Sequence, residues 1–446
     1  MIIKRFSKKI NYKKETDTMK NESAKKLLDF MKKSPTRYQV VANFEAMLNE
    51  KGYEKLYTEK PWRLERGGKY YVSPNGSSPA EPTAGFMLSA AHSDSPTFKI
   101  KDNPEKAGAH YVQLTTERYG GALMSTWFDR PLSVAGRVLV RGENGRIATK
   151  LVNVDRDLLI IPNVAIHMNR NANSGFEIKA NVDTLPLFSD ENGKGKFMQV
   201  VADSLGINAE DIIGHDLYLY NRMAPTFLGR DDEYIASPKL DDVECAFGCM
   251  EGFINAAESG SIPVCCVFDN EETGSSTKQG AASNILRDLL RRIALNLGKS
   301  EEEYLAMVAQ SFMVSADNAH AQHPNHPEYS DSDNCPYMNK GIVIKFNANQ
   351  KYTTDGVSAA LFRRVCAEAG APVQVFANRS DMAGGGTLGS IANTKVAVST
   401  VDIGLPQLAM HSSYETAGAE DIDSLVKAMT AFYSKTLTVE NGEYGI

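Results

Sequence analysis

The chain has 446 residues, a length that suits one large domain or one domain carrying an insertion. Its 42% hydrophobic and 23% charged content is that of a soluble globular protein and excludes wholesale disorder. A net charge of -6, from 49 basic and 55 acidic residues, excludes a general nucleic-acid binder, and no apolar run approaches the ~20 residues of a membrane span.

Residues 1–18 are rich in Lys and Arg but have no apolar core or cleavage-like site, so they read as a solvated tail or an over-extended start. Met19 opens a better helix. Ala24, Leu27, Leu28 and Met31 recur at helical spacing, and 34–36 (SPT) stops that helix. Val40, Val41, Phe44, Met47 and Leu48 predict a second helix, closed by Gly52. The run 84–91 (AGFMLSAA) predicts a buried strand leading straight into His92. From about 100 to 235 come short β-like stretches at 111–115, 133–141 and 216–220, interrupted by a helix at 197–205. From 237 onward the spacing predicts helices over 243–256, 281–297, 357–369 and 421–437. Strands are expected over 264–270, 311–316, 341–347, 373–377 and 396–402. Such alternation indicates an α/β sheet covered by helices. The expected architecture is one α/β domain, 19–97 with 237–446, split by a β-rich insertion at 98–236.

The six cysteines form no CxxC pair and read as reduced thiols of a cytoplasmic protein, with Cys245 and Cys249 as packing residues. Polar residues gather where strands are expected to end. His92 and Asp94 follow the first strand, Glu271 and Glu272 follow 264–270, and Asp317 and His320 follow 311–316. In open α/β sheets, sites form outside the carboxyl ends of the strands. Asp241 starts a helix and His411 sits in a loop before the last one.

Mixed imidazole and carboxylate donors suit a catalytic pair of divalent ions better than a structural zinc site. Two divalent cations against Asp241, Glu272, Asp317, neutral His92 and His411, and a bridging hydroxide make a neutral centre in which the hydroxide is the nucleophile. Asp94 is placed to accept the second ring N–H of His92. Glu271 is left as general base. Neighbouring strand residues point to opposite faces, so both glutamates face the metals only if the chain leaves strand geometry there. His323 and His326 read as loop residues, since Pro324 breaks any helix. Gly384, Gly385 and Gly386 read as a tight turn, since no Lys-Ser/Thr follows.

AHSDSP (91–96), IPNVAIHMNRN (161–171), SPKLDD (237–242), FDNEETGSSTKQGA (268–281), SADNAHAQHPNH (315–326), GIVIKFNANQKY (341–352), SDMAGGGTLG (380–389) and LPQLAMHS (405–412) occur in this order. With them the sequence resembles the M18 metallopeptidases, the aspartyl aminopeptidase family, in its bacterial type. The resemblance covers essentially everything after Met19. It implies a zinc-aminopeptidase-like catalytic domain with a mixed central sheet flanked by helices, and an inserted dimerisation domain. It implies two divalent ions per subunit, zinc foremost with manganese or cobalt open, on His92, Asp241, Glu272, Asp317 and His411. Glu271 falls on the family's base and Asp94 on the carboxylate supporting the first histidine.

The resemblance also places His167 in a neighbouring subunit's active site, makes His320 a further active-site histidine, and sets Lys345 against an acidic substrate side chain. The partners it implies are peptides with a free N-terminus and further copies of the chain, in a tetrahedral dodecamer built from dimers; no membrane or nucleic acid is implied. Asp242 stands where better-known eukaryotic members have Asn. Two other readings stay open. One is a neutral-residue aminopeptidase or another metal-dependent amide hydrolase of this fold. The other is a non-catalytic assembly protein.

Overall fold

The computed structural model describes residues 21–446 except 66, 74 and 78–84. The tail expected at 1–18 and the first residue of the run 84–91 lie outside the described residues. The main sheet has nine strands among the described residues, in the spatial order Glu54–Leu56, Tyr70–Val72, Asn75–Ser77, Ile262–Phe268, Phe86–His92, Phe312–Ala316, Ser399–Gly404, Ile342–Phe346 and Val373–Ala377. The four from Ile262–Phe268 to Ser399–Gly404 run parallel, and Ile342–Phe346 is antiparallel to Ser399–Gly404, so the sheet is mixed.

Parallel strands are covered on both faces, and the residues show it. In Ile262–Phe268, Cys265 and Val267 enter one apolar core, while Ile262, Val264, Cys266 and Phe268 enter another. Helices Glu22–Lys32, Arg37–Glu50, Leu240–Asn255, Gly356–Ala369 and Asp421–Tyr433 cover the first face. Ile285–Asn296, Glu301–Ala309 and Leu388–Asn393 cover the second. Cys245 and Cys249 are buried free thiols of the first core.

Between Thr97 and Asn221 the chain builds a separate six-stranded sheet, ordered Ile147–Asn153, Leu132–Arg141, Ile212–Asn221, Thr97–Ala107, Tyr111–Tyr119 and Leu187–Asp190. Its inward residues, among them Phe98, Ile100, Leu114, Leu132, Val134 and Leu217, form their own core with Phe197 and Val201 of helix Phe197–Asp203. Thr226–Leu228, Tyr234–Ser237, Glu415–Gly418, Pro406–Leu408 and Ala319–His320 form a further five-stranded sheet. No described helix is long and apolar enough to cross a membrane.

Candidate active site

The parallel strands deliver their polar residues to one edge. His92 is the last residue of its strand and is paired with Phe268 of the next. Beyond Phe268, Asn270 turns left-handed (φ 62°) and the chain winds a single 3-10 turn, Glu271–Thr273. That turn removes the strand alternation that would set Glu271 and Glu272 on opposite faces. Asp317 follows Phe312–Ala316 directly. Asp241 enters from the start of helix Leu240–Asn255, where its own backbone is still extended and its bond to Asp242 is cis. His411 comes from the loop between the two strands Pro406–Leu408 and Glu415–Gly418.

These side chains converge. His92 Nε2 lies 3.7 Å from Asp241 Oδ1 and 4.0 Å from Glu271 Oε2. His411 Nε2 lies 3.4 Å from both Asp241 Oδ2 and Glu272 Oε2. Among the described residues, three groups have all their donor atoms within 4.8 Å of one another: His92, Asp241 and Asp317; Asp241, Glu272 and His411; His92, Glu271 and Glu272. The first two share Asp241, so its two carboxylate oxygens face different histidines.

A ring of buried partners fixes the donors. His92 Nδ1 is 3.0 Å from the main-chain oxygen of Asp94 and 3.4 Å from its carboxylate. The nearer acceptor is therefore the carbonyl, and Nε2 is left facing the acids. The Asp94 carboxylate instead accepts the N–H groups of Glu271 (3.1 Å) and Glu272 (3.2 Å) and the hydroxyl of Tyr119 (2.6 Å). Asp242 accepts the His92 N–H at 3.0 Å. Burial pushes its carboxyl well above the usual range, against the pull of His92, with Asp317 and Asp241 adding to the rise; an Asn oxygen could accept the same N–H. Glu415 accepts the N–H of Asp241 (3.0 Å) and of His411 (2.7 Å), tying two converging loops together.

The cluster carries more buried carboxylate than buried cation. Burial pushes Glu272 well above the ordinary carboxylate range, and Asp241 adds to it. Burial likewise raises Asp317, against the pull of Lys345, and lifts Glu271 to about 7, against the pull of His92. Asp241 goes the other way: burial opposes its ionisation, but the hydrogen bond from His411 and the charge of His92 prevail. Asp241 Oδ1 and Glu272 Oε1 are buried without a hydrogen-bond partner. Orphaned, converging carboxylate oxygens beside two imidazoles fit divalent cations, which supply both the missing partner and the missing charge.

Of the remaining expected residues, Lys345 is fully buried and its ammonium donates to the carbonyls of Asp317 (2.7 Å) and Asn318 (3.4 Å). Burial works against that charge, but Asp317, Tyr352 and Asp402 outweigh it and keep the ammonium protonated. His320 opens onto a cavity of about 300 Å³ beside His411, lined also by Phe376, Asn378, Gly384 and Gln407. The surrounding protein and the Lys345 charge lower its imidazole from the ordinary value. His167 lies far along the exposed loop after Ile161 and joins none of the donor groups. His323 and His326 are exposed and outside those groups, and Gly384, in irregular backbone rather than a turn, packs closely against the Asn378 amide.

Sequence reasoning missed Tyr119, Glu415, Gln407 and Asn318. Only Glu415 carried a local signal, an acid four residues beyond a loop histidine.

The family described as "Aminopeptidase I zinc metalloprotease (M18)" matches residues 30–433. "Probable M18 family aminopeptidase 2" of Clostridium acetobutylicum is 45% identical over 432 residues, covering 93% of this chain and all of that one. The solved "Cryo-EM structure of the Ape4 and Nbr1 complex" contains a chain with TM-score 0.90 and 32% identity, spanning 94% of this chain and 86% of its own. The "Structure of S. cerevesiae mApe1 dodecamer" has TM-score 0.81 and 26% identity, covering 93% of this chain and 97% of that one. The donors at the sheet edge, the mixed sheet that carries them and these likenesses lead to one assignment: the chain belongs to the M18 family and is a metallo-aminopeptidase.

Proposed function

We propose that this aminopeptidase works with two divalent ions, zinc foremost, and removes Asp or Glu from the N-termini of peptides. The observation that carries the reading is the pair of donor groups, His92–Asp241–Asp317 and Asp241–Glu272–His411, joined through Asp241 with Glu271 beside them. Ions held there would polarise the scissile carbonyl and make a water acidic enough to attack it. Glu271 takes the proton of that water and passes it to the leaving amine. Asp94 keeps the Glu271–Glu272 turn in place for this, and Glu415 keeps Asp241 and His411 in place.

The cavity beside His411 is read as the pocket for the substrate's first side chain. Gln407 Oε1 is 3.4 Å from Asn318 Nδ2, which also donates to Glu244 at 2.9 Å. That fixes the amide so that Gln407 Nε2, buried and without a partner, is free to donate; Asn378 Nδ2 is likewise unpartnered. Two unmatched donors near the buried Lys345 charge favour an acceptor-rich, anionic side chain. Lys345 donates to the carbonyls of Asp317 and Asn318, and its charge and remaining N–H favour an acidic side chain. In Gln407→Glu the oxygen toward Asn318 is kept and the donor becomes an acceptor. The expected result is a fall of ~10-fold or more in kcat/KM for Asp over Leu substrates, of the order of one lost charge-assisted hydrogen bond. An unchanged Asp/Leu ratio sinks the pocket assignment and leaves a neutral-residue aminopeptidase.

The reading includes assembly from dimers into a dodecamer, supported by the dodecameric relative and by the loop that bears His167. Val164, Ile166, Met168 and Phe176 are all exposed there, Met168 by 83%. Apolar side chains at such density on one loop suit burial by a second copy. His167→Ala is expected to lower kcat and leave the sedimentation velocity of the assembly unchanged. Mixing it with Glu271→Gln subunits should restore part of the activity if His167 serves a neighbour's site, and none if it does not. Reduced thiols fit a cytoplasmic setting.

A further inference from the structure

The segment that follows strand Tyr111–Tyr119 leaves the six-stranded sheet and presses on the donors of the main one. The Tyr119 hydroxyl donates to Asp94 Oδ2 at 2.6 Å and accepts from Asn270 Nδ2 at 2.8 Å. Asn270 is the left-handed residue just before Glu271, and Asp94 accepts the N–H groups of Glu271 and Glu272. A single hydroxyl therefore grips the Glu271–Glu272 turn at its entry, through Asn270, and at its N–H groups, through Asp94.

The next two residues touch the same donors. Gly120, at φ 71°, passes so close that a Cβ there would lie 3.0 Å from the Glu272 Cβ. A Cβ on Gly121 would lie 3.3 Å from His411 Nδ1, and the Gly121 carbonyl sits 3.2 Å from that nitrogen, leaving Nε2 to face Asp241 and Glu272. Behind Tyr119, the Arg37 guanidinium stacks 4.6 Å from its ring and 4.6 Å from that of Tyr218, and pairs with Asp269 at 3.3 Å. The tyrosine ring is thus wedged from the N-terminal helix side as well.

We infer that Tyr119 is a positioning residue that sets the Glu271–Glu272 turn, and through it the affinity for an ion held by Asp241, Glu272 and His411. The inference rests on the two-ion reading. A hydroxyl two bonds removed from Glu272 controls whether its carboxylate stands opposite His411 or drifts with a loosened turn. Removing such an outer partner of a metal ligand typically costs 10–100-fold in metal affinity. His92 also leans on Asp94, but chiefly on its main-chain oxygen (3.0 Å), while its N–H is held by Asp242 and Asp317 is tied to Ile403 of the main sheet, so the other ion depends less on the Tyr119–carboxylate bond.

The test is zinc titration of the chelator-stripped full chain by calorimetry, comparing wild type, Tyr119→Phe and Tyr218→Phe. Wild type is expected to take two equivalents; a single equivalent would count against the two-ion reading, separately from Tyr119. In Tyr119→Phe one binding class should weaken ~10–100-fold while the other stays within threefold. At saturating zinc its kcat should remain depressed with KM unchanged, since Glu271 rides on the same turn. Tyr218→Phe, which keeps the aromatic cage of Arg37 but has no bond to Asp94, should leave both classes within threefold. Equal weakening of both classes in Tyr119→Phe, or no weakening, overturns the inference. If Tyr119→Phe does not fold, Asn270→Ala removes one arm of the grip and is read the same way: selective loss supports the inference, and unchanged binding overturns it.

Discussion

Glu271→Gln is expected to lower kcat/KM for an N-terminal Asp peptide ~10²–10⁴-fold, the usual contribution of a positioned general base. The bound metal, measured by elemental analysis, should not change, because Glu271 lies outside the two donor groups that share Asp241. The amide keeps the size of the carboxyl and its place on the 3-10 turn, so the loss isolates proton transfer. The pH profile supplies an independent reading. Burial holds the Glu271 carboxyl up to about 7, and a base must be ionised to accept a proton, so activity falls as pH drops through that value. Cations bound beside it would move the limb lower. In Glu271→Gln that acidic limb should vanish from whatever activity remains. A variant that keeps near-normal kcat, or loses its metal, contradicts the role.

Asp241→Asn should have the other large effect, through a different quantity. Its two oxygens face His92 at 3.7 Å and His411 at 3.4 Å, so one substitution weakens both donor groups together. The expected result is loss of metal from both sites on dialysis and a fall in activity of at least ~10³-fold, as several kcal/mol of carbonyl polarisation go with the ions. Glu272→Gln, by contrast, touches only one of the two donor groups joined through Asp241 and should release one equivalent. Retention of two equivalents by Asp241→Asn would mean that the carboxylate does not hold either ion.

Much of the site was legible because periodicity located the strand ends. The apolar run at 84–91 and the stretch 264–270 read as buried strands, and the residues at their ends, His92 and the Glu271–Glu272 pair, stand at one edge of a parallel sheet. The local sequence also hinted at the break in strand geometry that lets both glutamates turn inward. What stayed hidden depends on contacts between distant segments. Tyr119 pairs with Thr97 and so reaches Asp94 in the link just before it, and nothing near Tyr119 marks it beyond the two glycines that follow.

Other elements were missed for local reasons. Helix Glu301–Ala309 opens on three glutamates, which masks its apolar face, although Ser300 and Glu303 form a capping box that could have flagged its start. Strand Thr97–Ala107 alternates only as far as Ile100, where its register against Tyr111–Tyr119 shifts. Beyond that point its polar residues are solvent-facing, and the period-2 signal is lost. The Lys345 contacts could not be foreseen from its strand, since the carbonyls that hold its ammonium belong to Asp317 and Asn318 on a separate segment.

The central claim is that two ions act together at one carboxylate-bridged site. Its most direct test is stepwise return of zinc to the chelated enzyme, with hydrolysis of an N-terminal Asp substrate followed at each addition. Two ions acting together predict little activity during the first equivalent and a steep rise through the second, ending at a plateau. Full activity after one equivalent, with no further gain from the second, would contradict it.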